Sequence, residues 1–189
     1  DSGVFPGLRD RLKGMVAQLD RCQKALADFL ELKRSAFPRF YFLGDDDLLE
    51  ILGQAKDPNV VRAHMPKLFQ GIHSVGFAEG GASGRIESIS SASGEPIALT
   101  DGSGVARPVA TDGEEVEDWL TELVEGMRRT LACSLASAVR ERGDGPSDLS
   151  KFPSQVLGVA EEVAFSTRVE AALSSGSLDR LQGAVASQL

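Results

Sequence analysis

The side chains that could do chemistry are few and poorly grouped. Three consecutive carboxylates, Asp45 to Asp47, stand just after an aromatic run, and the two histidines, His64 and His73, lie nine residues apart. Consecutive aspartates could hold a cation, but no carboxylate or histidine follows at EF-hand spacing. Acids bunched there suit the first turn of a helix, where they meet the positive end of the dipole. With no third ligand near the histidines, a zinc site or a histidine relay is not expected, and both read as surface or boundary residues. Gly80, Gly81 and Gly84 precede no GK[ST], so they do not form a phosphate loop. Paired carboxylates at Glu114/Glu115 and Glu161/Glu162 fit solvated helix faces. No nucleophile elbow, HExxH or CxxC is present. The expectation is no catalytic, cofactor or metal site within these residues.

Composition limits partners in the same direction. The chain has 189 residues and a net charge of −8. An acidic surface argues against general binding to nucleic acid or anionic membranes. No apolar run reaches about 18 residues, so no membrane insertion is expected and the chain reads as soluble. Cys22 and Cys133 fall in apolar helical stripes, where a free thiol behaves as a small hydrophobe. A reducing cytosol is therefore expected rather than a disulfide. The chain lacks a starting Met and ends on an uncapped helical pattern, which reads as a fragment of something longer.

The elements that must position these residues are mostly helices. Over Phe5 to Leu32, the residues Leu8, Leu12, Met15, Leu19, Cys22, Leu26 and Phe29 step alternately by 4 and 3. That is a heptad seam, predicting one long helix packed along a bundle, with an independent zipper as the alternative. Pro38 forbids continuation, and Arg39 to Leu43 is predicted to be extended. A second helix begins at Gly44 and the aspartates, with Asp47 and Glu50 as a capping box and Leu48, Leu49, Ile51 and Leu52 inward. Pro58 opens a third, with Val61, Met65, Leu68, Phe69 and Ile72 on its buried face and Pro66 predicting a kink or break.

From Gly76 to Gly113 the composition turns to Gly, Ser and Ala. Here Ile86-Glu87-Ser88-Ile89 and Pro96-Ile97-Ala98-Leu99 flank a Ser-Gly turn, predicting a small β-hairpin. Thr111 and Glu114 form a second capping box, and the helix after it keeps a 3.6-residue period from Val116 to Val139. Pro153 opens another helix, Thr167 with Glu170 caps a short one, and Ser177 starts a last segment. The expected fold is mainly α, an elongated helical-bundle rod with one inserted hairpin. Its parts are a helical lobe over 1–75, a Gly/Ser-rich segment over 76–113 and a helical lobe over 114–189.

The most specific stretch is AFPRFYFLGDDDLLEILGQAKDP, Ala36 to Pro58, which packs four aromatics into six residues. It resembles the linker region of dynein heavy chains, where a run close to FPRFYFLSNDELLEIL is a hallmark. KDPNVVRAHMPKLFQGI is similar to the family's "KDP, then HLxKxFxGI" helix through His64, Lys67, Phe69, Gly71 and Ile72. VEDWLTELVEGMRRTL is similar to "VExWLxxxxxxMxxTL" through Val116, Glu117, Trp119, Leu120, Met127, Thr130 and Leu131. The resemblance covers roughly Lys33 to Leu173, with Gly44, Asp45 and Asp46 leaning toward the second cytoplasmic branch, the motor of retrograde intraflagellar transport.

The resemblance implies a mechanical lever that bends across a ring of AAA+ modules. ATP and Mg would be held in that parent ring, with the ring, other dynein subunits and microtubules as partners. It places the parent motor in the cytoplasm, the cytoskeleton and the cilium or flagellum. Phe40, Tyr41, Phe42 and Trp119 are expected as core anchors of the rod, and the hairpin at Gly94 and Glu95 as its contact with the ring. The competing expectation is a helical scaffold binding a partner through the first seam, which would dimerise through Leu12, Leu19 and Leu26.

Overall fold

A computed structural model describes residues 7–54, 57–78, 84–111, 115–143 and 151–176. It is mainly α: helices α1 (Leu8–Ala36), α2 (Asp45–Gly53), α3 (Pro58–Leu68), α4 (Val116–Gly143) and α5 (Ser154–Ser175) accompany a small sheet, which packs against α3 and α4. Among the described residues no helix is long and apolar enough to cross a membrane.

Helix α1 runs through Lys33, Arg34 and Ser35 and stops at Phe37, whose extended backbone still donates its N–H to Lys33 O. The stretch predicted to be extended is instead a 3-10 helix, Pro38–Phe42. Pro38 at its first position presets φ, and three residues per turn reverse the chain in little space. In α2, Gly44 is the N-cap with no side-chain cap. Asp47 and Glu50 therefore lie inside the helix, where their carboxylates meet α3 rather than closing a capping box. Pro66 sits within α3, which ends two residues later at Leu68. Phe69 and Ile72 are buried beyond that end.

The sheet is larger than one hairpin. Strand β2 (Arg85–Ser90) is central; β1 (Ser74–Phe77) pairs antiparallel on one side, and β3 (Pro96–Ala98) and β4 (Val109–Ala110) also pair with β2 antiparallel. The predicted hairpin is β2–β3, with Ile89 opposite Ile97. Its turn needs Gly94, at φ 83, a conformation an L side chain resists. At Gly76 a Cβ would run into Ser88 Oγ, so β1 approaches β2 closely through a glycine.

One core joins these parts. Leu30 of α1, Phe37, Phe40, Leu48, Ile51, Met65, Leu68, the sheet residues Val75, Ile86 and Ile89, and Trp119, Leu120 and Leu123 of α4 form a single buried cluster. A smaller one, Ala138, Val156 and Ala160, holds α4 against α5. Helix α5 is unbroken through Thr167, whose hydroxyl donates to Val163 O four residues back and caps nothing. Gly176, at φ 68, closes it by donating to Ala172 O and Leu173 O. Phe5, Gly80, Gly81, Glu114 and the segment from Ser177 lie outside the described residues.

Candidate functional site

The aromatic run is a junction where α1, α2 and α3 meet. Phe40 is fully buried and meets Phe37 edge-on, with ring centroids 5.1 Å apart. Tyr41 and Phe42, expected beside it in the core, are 55% and 69% exposed. The short 3-10 turn is the reason, since successive residues point about 120° apart and only one in three can face inward. Tyr41 instead donates its hydroxyl to Glu31 Oε1 of α1 at 2.7 Å, a contact that raises its pKa.

The cations of this stretch tie the helices together. Arg39 donates to Leu68 O, at the end of α3, and stacks 4.7 Å from the Phe69 ring. Arg34 reaches both Leu43 O and Asp45 Oδ1, bracing α1 against the start of α2. Lys33 donates to Glu117 Oε1 at 2.5 Å and Glu115 Oε2 at 2.9 Å, bridging the end of α1 to the start of α4. Those two carboxylates, Glu117 foremost, raise the Lys33 pKa. Beside them Trp119 is fully buried against the core, its Nε1 without a hydrogen-bond partner.

His64 is buried, contrary to the expectation of a surface or boundary residue. Its Nε2 lies 3.0 Å from Glu50 Oε2, and its Nδ1 lies 3.8 Å from Asp47 Oδ1. Asp47, Glu50 and His64 together bring three potential ligand atoms within 4.8 Å of one another. Lys67 already donates to Asp47 Oδ2 at 2.7 Å and holds that carboxyl below its ordinary value. The cluster therefore works as a charged seam between α2 and α3. Sequence reasoning missed it because it read the Asp45–Asp47 and His64 segments separately. The signal was there: Asp47 and Glu50 are spaced i, i+3, as are His64 and Lys67, and such pairs share a helix face.

The hairpin docks within the chain. Its turn exposes Gly94, while Glu95 Oε1 accepts from Ser154 Oγ at 2.5 Å and Ser154 N at 3.3 Å. A carboxylate from the hairpin thus supplies the N-terminal cap that α5 lacks locally. Beside this contact lies an open cleft of about 590 Å³ between β3, the Thr100–Gly104 loop, α4 and the start of α5. Asp101 organises the loop, accepting from Ser103 N and Oγ and from Val105 N, which lowers its pKa. Cys133 lines the cleft and Cys22 is exposed on α1; both are free, and Cys22 is not in the core as expected.

The residues that build this junction are those of the Ala36 to Pro58 run, and the chain as a whole is similar to known proteins. Residues 2–138 match the model of the family described as dynein heavy chain, N-terminal region 2. The chain belongs to the dynein heavy chains. It is 49% identical over 90% of its length to cytoplasmic dynein 2 heavy chain 1 of Caenorhabditis elegans, and 43% identical over 97% to that of Homo sapiens. Against the C. elegans protein named dynein heavy chain, cytoplasmic, identity falls to 36% over 89%. The chain spans about 4% of the length of these heavy chains. The family's letters now have places: Phe37, Arg39, Phe40 and Leu43 build the junction, Glu50, His64 and Lys67 the charged seam, and Glu117 and Trp119 the anchor of α4.

Proposed function

We propose that this segment is a stiff part of the linker of a dynein 2 heavy chain, a lever that bends across the AAA+ ring and transmits the ATP-driven stroke. In this reading ATP and Mg bind in the ring outside these residues, and the parent motor carries cargo along ciliary microtubules together with other dynein subunits. Support for the branch comes from one organism: identity to the C. elegans dynein 2 chain exceeds that to its other cytoplasmic chain by 49% to 36%. Support for the lever is mechanical. Arg34, Arg39 and Lys33 each cross from one element to another, and a core shared by the helices and the sheet opposes relative motion.

Within that reading Phe40 and Trp119 are the anchors of the body. The turn at Gly94 contacts the ring, while Glu95 holds the hairpin to α5, so that force on the turn passes into α5 rather than folding the hairpin aside. Energy transfer between a fluorophore near Gly94 and one on the ring of the whole motor tests it. A distance that changes through ATP binding and release is the expected result. A constant distance during continued hydrolysis would make the segment a static brace. The scaffold reading retains one specific observation, the exposed seam of α1.

A further inference from the structure

Strand β3 forms a margin of the sheet and pairs only with β2. At its two ends Glu95 O accepts from Ser91 N, and Leu99 N donates to Glu87 O. In an antiparallel ladder such pairs alternate, so residues 95, 97 and 99 turn their backbone groups toward β2. Pro96 and Ala98, the alternate positions, present theirs to the opposite side, and both residues are exposed. Pro96 has no N–H there, but Ala98 brings an N–H and a C=O. Among the described residues no backbone group meets them on that side. The next outward position shows what such groups need. Thr100 donates its N–H to Thr130 Oγ1 of α4 at 2.9 Å, and its C=O accepts from that hydroxyl at 3.3 Å. Past this contact the cleft of about 590 Å³ separates the edge from α4, and Ala98 has no such partner.

The far wall of the cleft is polar and carries an uncompensated cation. Ser134, Ser137 and Arg140 follow Thr130 at spacings of four, three and three, so they share its face of α4, and all line the cleft. The Arg140 guanidinium donates to Ala136 O and Ser137 Oγ of its own helix, and among the described residues it has no carboxylate partner. The other charges of the lining are engaged, Lys151 with Glu141 at 2.8 Å and Glu95 with Ser154. An unpaired positive charge thus faces an unpaired strand edge, in a chain whose net charge is −8. We infer that the cleft binds an extended, acidic segment of a partner protein, which adds to β3 as a further strand and sets a carboxylate against Arg140. Main-chain hydrogen bonds to Ala98 fix its register, and the charge selects among sequences. Ile97 and Phe152, half-buried in the lining, suit an aliphatic side chain beside that carboxylate. A second copy of β3 fits poorly, because Pro96 lacks the N–H that mutual pairing would use and Glu95 is already held by Ser154. The inference is independent of the lever, since Gly94 is not part of the cleft.

Fluorescein-labelled heptapeptides of alternating Thr and Val, with Glu, Gln or Lys at the centre, test it on the purified heavy chain by fluorescence polarisation. The Glu peptide should bind saturably and at least about tenfold more tightly than the Gln peptide, and the Lys peptide should not bind. Arg140→Ala should bring the Glu and Gln peptides to within about twofold of each other. Ala98→Pro should abolish binding yet leave the thermal melt in place, because that N–H points away from β2. N-methylating the peptide backbone should abolish binding from the other side. The bound Glu peptide should also slow maleimide labelling of Cys133, which lines the cleft. Absence of saturable binding would overturn the proposal, as would a Glu preference that Arg140→Ala leaves intact. Binding that survives N-methylation but yields to millimolar inorganic phosphate would make the cleft an anion site instead. Binding by the 189-residue chain but not by the whole heavy chain would mean that the heavy chain fills its own cleft, and would also overturn it. A constant energy-transfer signal would remove the lever but leave peptide binding unchanged, so the two failures are distinguishable.

Discussion

Phe40 and Phe42 stand two residues apart in one aromatic run, and the structure gives them opposite consequences. Phe40 is fully buried against Phe37 and the Leu48, Ile51 and Met65 cluster, whereas Phe42 is 69% exposed. Phe40→Ala should cost about 3–5 kcal/mol, from lost transfer energy, the cavity left behind and the lost edge-on partner. In a domain of this size that lowers the melting temperature by roughly 6–20 °C, at about 2–4 °C for each kcal/mol. Phe42→Ala should stay within about 0.5 kcal/mol. Urea unfolding followed by circular dichroism reads both values on one scale. Phe40→Leu, expected to cost about 1–2 kcal/mol, keeps the test alive if the alanine variant does not fold. Equal losses at the two positions would refute the junction, because a residue in the core and one outside it cannot weigh the same.

Glu95→Ala removes the cap of α5 and should cost about 0.5–2 kcal/mol; in a double-mutant cycle with Ser154→Ala most of that loss should be shared, as urea midpoints will show. Asp47, held below its ordinary 3.8 by Lys67, contributes stability that is present above that value and lost as pH falls through the depressed one. The stability difference between wild type and Asp47→Asn, measured by urea unfolding from pH 6 downward, should therefore shrink below pH 4; a gap that widens there would reverse the assignment. Gly102, at φ 96, would place a Cβ 3.3 Å from Cys133 Sγ, so Gly102→Ala should lose about 1–2 kcal/mol of stability, read by thermal melt.

What the sequence made legible was periodicity and wording; what it hid was pairing across distance. The 3.6-residue stripe of α4 and the Ser-Gly turn of the hairpin are local patterns, and both appear where the spacing predicts them. Strand β1 is four residues long and β4 only two. Segments so short carry too few alternations to read, and they exist because β2 offers them an edge. The aromatic run misled for a related reason. Its composition says buried, but a 3-10 turn can bury only some of its side chains, so Phe40 enters the core while Tyr41 and Phe42 face out. His64 erred in the opposite sense: a polar residue on a sequence-level face becomes buried because Glu50 and Asp47, on another helix, make burial tolerable. In each case the deciding partner lies far away in sequence.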